Sequence, residues 1–355
     1  MRIHRATRLR PLVAFLALAA ACEPTTEPEP APEFDTEASL ADYDAMEDVL
    51  GANAWESFEA LSGRMTFGGA TSATGTAGAA AGTAAGAGAA IGATNAAGGA
   101  AGAPIISDAH RGVTFVYDPA SDDYVVDPER DGAPQTGVRF VVYEVDDAGV
   151  PIVEQEIGHA DLVDQGDASA EEIALRLTVV VNEVTLLDYL TTLDGPANRG
   201  VLTVHGFLRG ERDRLDFDIE ALATTGDDRT LDVAFDLRID ERDFSVTGAV
   251  HGTEDDADGE GDIDVTVRHR THSLRVDAHG EGGQLDGSVF LNGDVFATVS
   301  GDADEPTIIG ASGEPLTFAQ SLVLWRVIDT VEDVFDFLED LVDPVDELVV
   351  LGFIL

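Results

Sequence analysis

In the stretch TEDDADGEGD, Glu254, Asp256, Asp258, Gly259, Glu260 and Asp262 set carboxylates at alternate positions. Such spacing gathers oxygen donors around calcium, and Asp256, Asp258, Glu260 and Asp262 are the candidate ligands. The twelfth position, where a bidentate glutamate closes a loop of this kind, is Val265. Strand-like sequence flanks the stretch on both sides, so a solvated hairpin loop is the plainer expectation and the cation site the alternative.

Histidine is the second source of chemistry. His269 and His272 straddle a turn in RHRTHS, with His251 and His279 on neighbouring strands. Two histidines across a hairpin are a zinc or copper pattern. Alternation nevertheless puts His269 on the apolar face with Val265 and Val267, and His279 on the opposite face with Arg268 and Arg270. Separate structural and surface histidines are the plainer expectation. Nucleophilic catalysis finds no G-x-S-x-G; the nearest stretch, GASG at Gly310 to Gly313, lacks the spacing. No glycine-rich loop opens a helix after a strand, and the carboxylates are too many for one acid–base pair to stand out.

The single cysteine, Cys22, follows a basic segment with Arg2, Arg5, Arg8 and Arg10 and the apolar run PLVAFLALAAA. That run is too short to span a bilayer, and the arginines orient it as a secretory signal over residues 1–21. The site resembles the lipobox of bacterial lipoproteins, although Ala19 stands where that family prefers leucine and Leu18 lies one place earlier. Ala19 and Ala21 also form the A-x-A of an ordinary cleavage site. The resemblance implies that Cys22 is acylated, that the membrane is a partner through this anchor, and that Glu23 directs the protein to the outer membrane. Residues 22–35 then form a stalk, extended by proline and by glutamate repulsion.

The chain carries a formal charge of −48, and every one of its 20 basic residues is arginine. Nucleic acid as a partner is excluded by this balance, because phosphate contacts need clustered cationic groups. A carboxylate-rich surface serves solubility and salt tolerance. With one cysteine there is no intramolecular disulfide, and stability has to come from an apolar core.

Residues 36–67 read as helical, with Leu40, Tyr43, Met46, Val49, Leu50, Trp55, Phe58 and Leu61 on one stripe. Residues 68–104 are a Gly/Ala-rich low-complexity linker. Its glycines four apart resemble a glycine zipper, but large apolar side chains are too few for a bilayer span. Residues 105–316 read as β throughout. In TLDVAFDLRID, Leu231, Val233, Phe235, Leu237 and Ile239 face one way and Asp232, Asp236, Arg238 and Asp240 the other. Leu215, Phe217 and Ile219 repeat the alternation, as do Leu175 to Val181 and Leu285, Val289 and Leu291. Twelve to fourteen such strands, separated by turns such as Asn292-Gly293 and Gly282-Gly283, predict an antiparallel meander with one buried face.

Residues 317–355 return to helix, with Phe318, Leu322, Trp325, Ile328, Val331, Phe335, Leu338 and Val342 as the apolar stripe. A one-faced sheet and an apolar helix satisfy each other's need for burial. The fold class is therefore mainly β: a large curved antiparallel meander, half-barrel or open barrel, with N- and C-terminal helices packed on its apolar face. That architecture resembles the half-barrel of periplasmic lipoprotein carriers and outer-membrane lipoprotein receptors, with no motif to transfer residues. A transmembrane barrel would need aromatic girdles and a terminal strand. The expected function is a lipid-anchored, non-enzymatic envelope protein that binds, carries or scaffolds, with an apolar ligand or an envelope protein as partner. The alternative is a carboxylate-dependent hydrolase of envelope polysaccharide. No cofactor is implied beyond calcium at the acidic loop.

Overall fold

The computed structural model describes residues 49, 57, 61, 106, 108–146, 148–166, 173–195, 199–210, 212–224, 229–254, 260–302, 306–318, 321, 324 and 337. Within them the chain forms fifteen strands. The first seven are β1 (Val113–Asp118), β2 (Asp123–Asp127), β3 (Gly137–Val145), β4 (Pro151–Asp164), β5 (Ile173–Val181), β6 (Val184–Asp194) and β7 (Arg199–Arg209). Then follow β8 (Arg214–Thr224), β9 (Arg229–Ile239), β10 (Phe244–Glu254), β11 (Glu260–His269) and β12 (His272–Glu281). The last three are β13 (Gln284–Leu291), β14 (Asp294–Asp302) and β15 (Thr307–Gly310).

All fifteen belong to one open sheet, and from β3 to β15 each strand pairs antiparallel with the next in sequence. One end departs from this order. β1 and β2 make an antiparallel hairpin, and β1 then pairs parallel with β3, leaving β2 at the edge. Tight turns set the register. Asn182-Glu183, Gly282-Gly283 and Asn292-Gly293 each have positive φ at both positions, as a primed two-residue turn requires.

Alternation sorts the side chains. Leu215, Phe217 and Ile219 of β8, Phe235, Leu237 and Ile239 of β9, and Val265 and Val267 of β11 are all buried. The residues between them face water, which is the one-faced pattern of an antiparallel sheet. At the β1–β3 end the core is aromatic. Phe115 stacks on Phe140 at 5.0 Å, and Tyr124 stands edge-on to Phe140 at 5.6 Å while donating from its hydroxyl to the Val141 carbonyl at 2.9 Å.

Val49, Leu61, Ile106, Leu324 and Phe337 belong to the same apolar cluster as the inward face of the sheet. Phe337 meets Phe217 edge-on, with centroids 5.3 Å apart. Most of residues 36–67 and 317–355 lie outside the described residues, as do Cys22, the stalk 22–35 and the linker 68–104. Phe318, placed on the apolar stripe by its spacing, is instead 86% exposed.

Candidate functional site

Asp232, His251, Asp262, His279 and Asp286 lie on the outward face, where the register of β9 to β13 sets them in one row. Asp232 of β9 is opposite His251 of β10, His251 is opposite Asp262 of β11, Asp262 is opposite His279 of β12, and His279 is opposite Asp286 of β13. Acid and imidazole alternate across five strands. Residues directly opposite in an antiparallel pair have Cβ atoms about 4.5–5.5 Å apart, so each imidazole reaches a carboxylate without bending the backbone.

Two contacts of the row are hydrogen bonds. The Nδ1 of His279 donates to Oδ1 of Asp262 at 2.7 Å, and the Nδ1 of His251 donates to Oδ1 of Asp232 at 2.5 Å. On its other side His279 presents Nε2 to Oε1 of Glu260, 4.0 Å away. The hydrogen bond to Asp262 holds the His279 imidazolium above its ordinary range, and the charges of Asp262, Glu260 and Glu281 add to that pull. Glu281 stands directly opposite Glu260, so two like charges face each other one step along the strands from His279.

Elsewhere on this face arginine neutralises the acids. Arg139 donates from Nε and Nη2 to both oxygens of Asp161 at 2.7 Å each, and Arg176 grips Asp188 in the same fork. Arg275 reaches Asp264 at 2.8 and 2.9 Å and Asp277 at 2.8 Å, bridging two acids that are directly opposite in register. Arg238 pairs with Asp236, and Arg214 with Asp216. The Arg139, Arg176, Arg238 and Arg275 contacts with Asp161, Asp188, Asp236 and Asp264 are bidentate forks, while Arg214 reaches a single oxygen of Asp216. In the Asp–His row, imidazole takes the place of guanidinium.

Of the acids proposed for calcium, Asp256 and Asp258 lie outside the described residues. Glu260 and Asp262 belong to β11 itself, facing outward on alternate positions. Val265 is buried in the core, so the position that would close a calcium loop offers no carboxylate. His269 is buried beside Val267 on the inward face, and His272 sits across the turn from it, with Nδ1 3.4 Å from Asn292 Nδ2. His269 and His279 therefore occupy opposite faces, as alternation requires. The GASG stretch is a surface turn after β15, with Gly313 N–H donating to the Gly310 carbonyl at 2.8 Å.

Sequence reasoning missed that His251, Asp232 and Asp286 form one row with Asp262 and His279, with Glu281 opposite Glu260 beside it. A signal existed for β11 to β13, since the two-residue turns Arg270-Thr271 and Gly282-Gly283 fix the register and the pairings follow by counting outward from them. Chemically, the row sets imidazole nitrogens beside carboxylate oxygens, two donor types that divalent transition metals take. Glu260, Asp262 and His279 are the described group whose donor atoms, within 4.8 Å of one another, suit a cation. Compared with protein-family models, with curated proteins and with solved structures, the chain finds no match.

Proposed function

We propose that the protein is a lipid-anchored, non-enzymatic envelope protein that presents the charged face of its sheet as a binding or scaffolding surface, held to the outer membrane through Cys22. The observation that carries this reading is the occupation of the apolar face. Phe337 packs on Phe217, and Val49, Leu61 and Leu324 join the same cluster. A carrier of apolar ligands needs that space open; here Val49, Leu61, Leu324 and Phe337 of the chain itself pack there. With Val49, Leu61, Leu324 and Phe337 set against the inward face, the work of the protein turns outward. The acidic stalk and the segment ending at Cys22 supply the tether.

The polysaccharide hydrolase draws no support from the outward acids. Asp232, Asp262, Asp264 and Asp277 are solvated and engaged by histidine or arginine. The test is mass spectrometry of the mature N-terminus together with fractionation of a Cys22→Ala variant. An acylated Cys22 and release of the variant from membranes are expected. A mature chain without acyl mass, or a variant that still sediments with membrane, overturns the anchor. Strong enhancement of an apolar fluorophore by the native protein would restore the carrier reading.

A further inference from the structure

The geometry points to a divalent transition-metal site on the outward face, of the kind zinc favours, formed by His279 and Glu260 as ligands and Asp262 as the carboxylate that orients the imidazole. The three residues lie on two adjacent strands, β11 and β12, paired residue by residue from Glu260–Glu281 to His269–His272. β10 and β13 continue the sheet on either side. A site on paired strands is held by the backbone ladder and needs little ordering when an ion arrives.

The orientation of His279 suits a ligand. Its Nδ1–H is spent on Asp262 at 2.7 Å, so an incoming ion displaces the proton of Nε2, which is directed to the side where Glu260 Oε1 lies 4.0 Å away. Carboxylate–imidazole pairing of this sort fixes the tautomer and raises the basicity of the ligating nitrogen. Two ligands about 2.0–2.2 Å from a tetrahedral ion lie about 3.3–3.6 Å apart, so the exposed Glu260 side chain has to close in by about half an ångström, with water completing the shell. One imidazole among carboxylates selects zinc-like ions over calcium or magnesium, which prefer all-oxygen shells.

Charge supplies an independent argument. Glu260, Asp262, Glu281 and Asp286 surround one imidazole in register, and Glu260 faces Glu281 directly. Like charges directly opposite destabilise a strand pair. Where Asp264 faces Asp277 in the same two strands, Arg275 bridges them. Around His279 a bound dication does the same work, and the site stands whether or not Cys22 is acylated.

The test is calorimetric titration of zinc chloride into the full chain carrying Cys22→Ser, which removes the thiol as a competing ligand. One zinc per chain is expected, weakened at least tenfold by His279→Ala and by Glu260→Gln and about 10–100-fold by Asp262→Asn. His159→Ala, a histidine beside an aspartate on β4, serves as the control and leaves the titration unchanged. Zinc binding that survives both His279→Ala and Glu260→Gln overturns the site. So does equal competition by calcium chloride, which marks a diffuse carboxylate atmosphere. Because Glu260→Gln alters only an exposed oxygen, it carries the test if His279→Ala fails to fold.

Discussion

The ring of Phe337 stands edge-on to that of Phe217, at 77° between planes and 5.3 Å between centroids. The pair joins the end of the chain to the middle of the sheet. Truncating Phe337 to alanine should cost about 3–5 kcal/mol in guanidinium unfolding, as loss of a buried aromatic ring does. A double-mutant cycle with Phe217→Ala should show a coupling of about 0.5–1.5 kcal/mol. Strictly additive losses would mean that the rings do not support each other.

Gly248 of β10 sits opposite Phe235, and a Cβ at that position would lie 2.3 Å from the ring's Cζ. The ring covers the bare backbone, an arrangement in which an aromatic neighbour compensates for glycine in a strand. Gly248→Ala therefore forces the ring aside and should lower stability by about 1–3 kcal/mol. Restoration of the midpoint by adding Phe235→Leu is the expected companion result. A neutral Gly248→Ala would show that the ring has room to move.

Asp213, before β8, accepts a hydrogen bond from Arg242 Nη2 at 2.8 Å, with side chains only 10% and 28% exposed. The contact ties the β7–β8 connection to the β9–β10 connection. Asp213→Ala leaves a partly buried guanidinium without this acceptor and should cost about 1–3 kcal/mol in urea, with an unchanged m-value. Stability equal to that of the parent protein would place the pair among surface ion pairs that contribute nothing measurable.

His159 and His279 should titrate in opposite directions from the ordinary value of 6.5. Burial and then the Arg139 charge lower His159, while the hydrogen bond to Asp262 raises His279. With a lowered folded value, the unfolded chain holds more protons below 6.5. The His159 contribution is therefore complete above that pH and lost as pH falls through the folded value. The His279 contribution is complete below 6.5 and lost as pH rises through its folded value. Ring-proton NMR titration in metal-free buffer checks the order, and a His159 midpoint above that of His279 would contradict it.

Much of the sheet could be read from the residues. TLDVAFDLRID alternates cleanly, and Asn292-Gly293 adopts the primed turn that its composition demands. The strand count fell short because β2 and β15, with five and four residues, are too brief to alternate visibly. The parallel β1–β3 pair was not legible either. It depends on a return through residues 128–136, whose sequence carries no periodic signal. In the site, the sequence pattern assigns Glu260 and Asp262 to a loop and His279 to a surface position apart from them. Their union is a property of register, which single-strand patterns do not contain.

Strand order along the sheet matches chain order from β3 to β15, so hydrogen-bonded partners there stay close in sequence. Sheets of this size usually fold slowly, because distant segments must meet before any bond rewards the lost loop entropy. Here a hairpin such as β12–β13 can form first and zip outward in either direction at small cost per strand. The slow steps of folding should then sit where the chain breaks neighbour order: the β1–β3 crossover and the docking of Phe337 on Phe217.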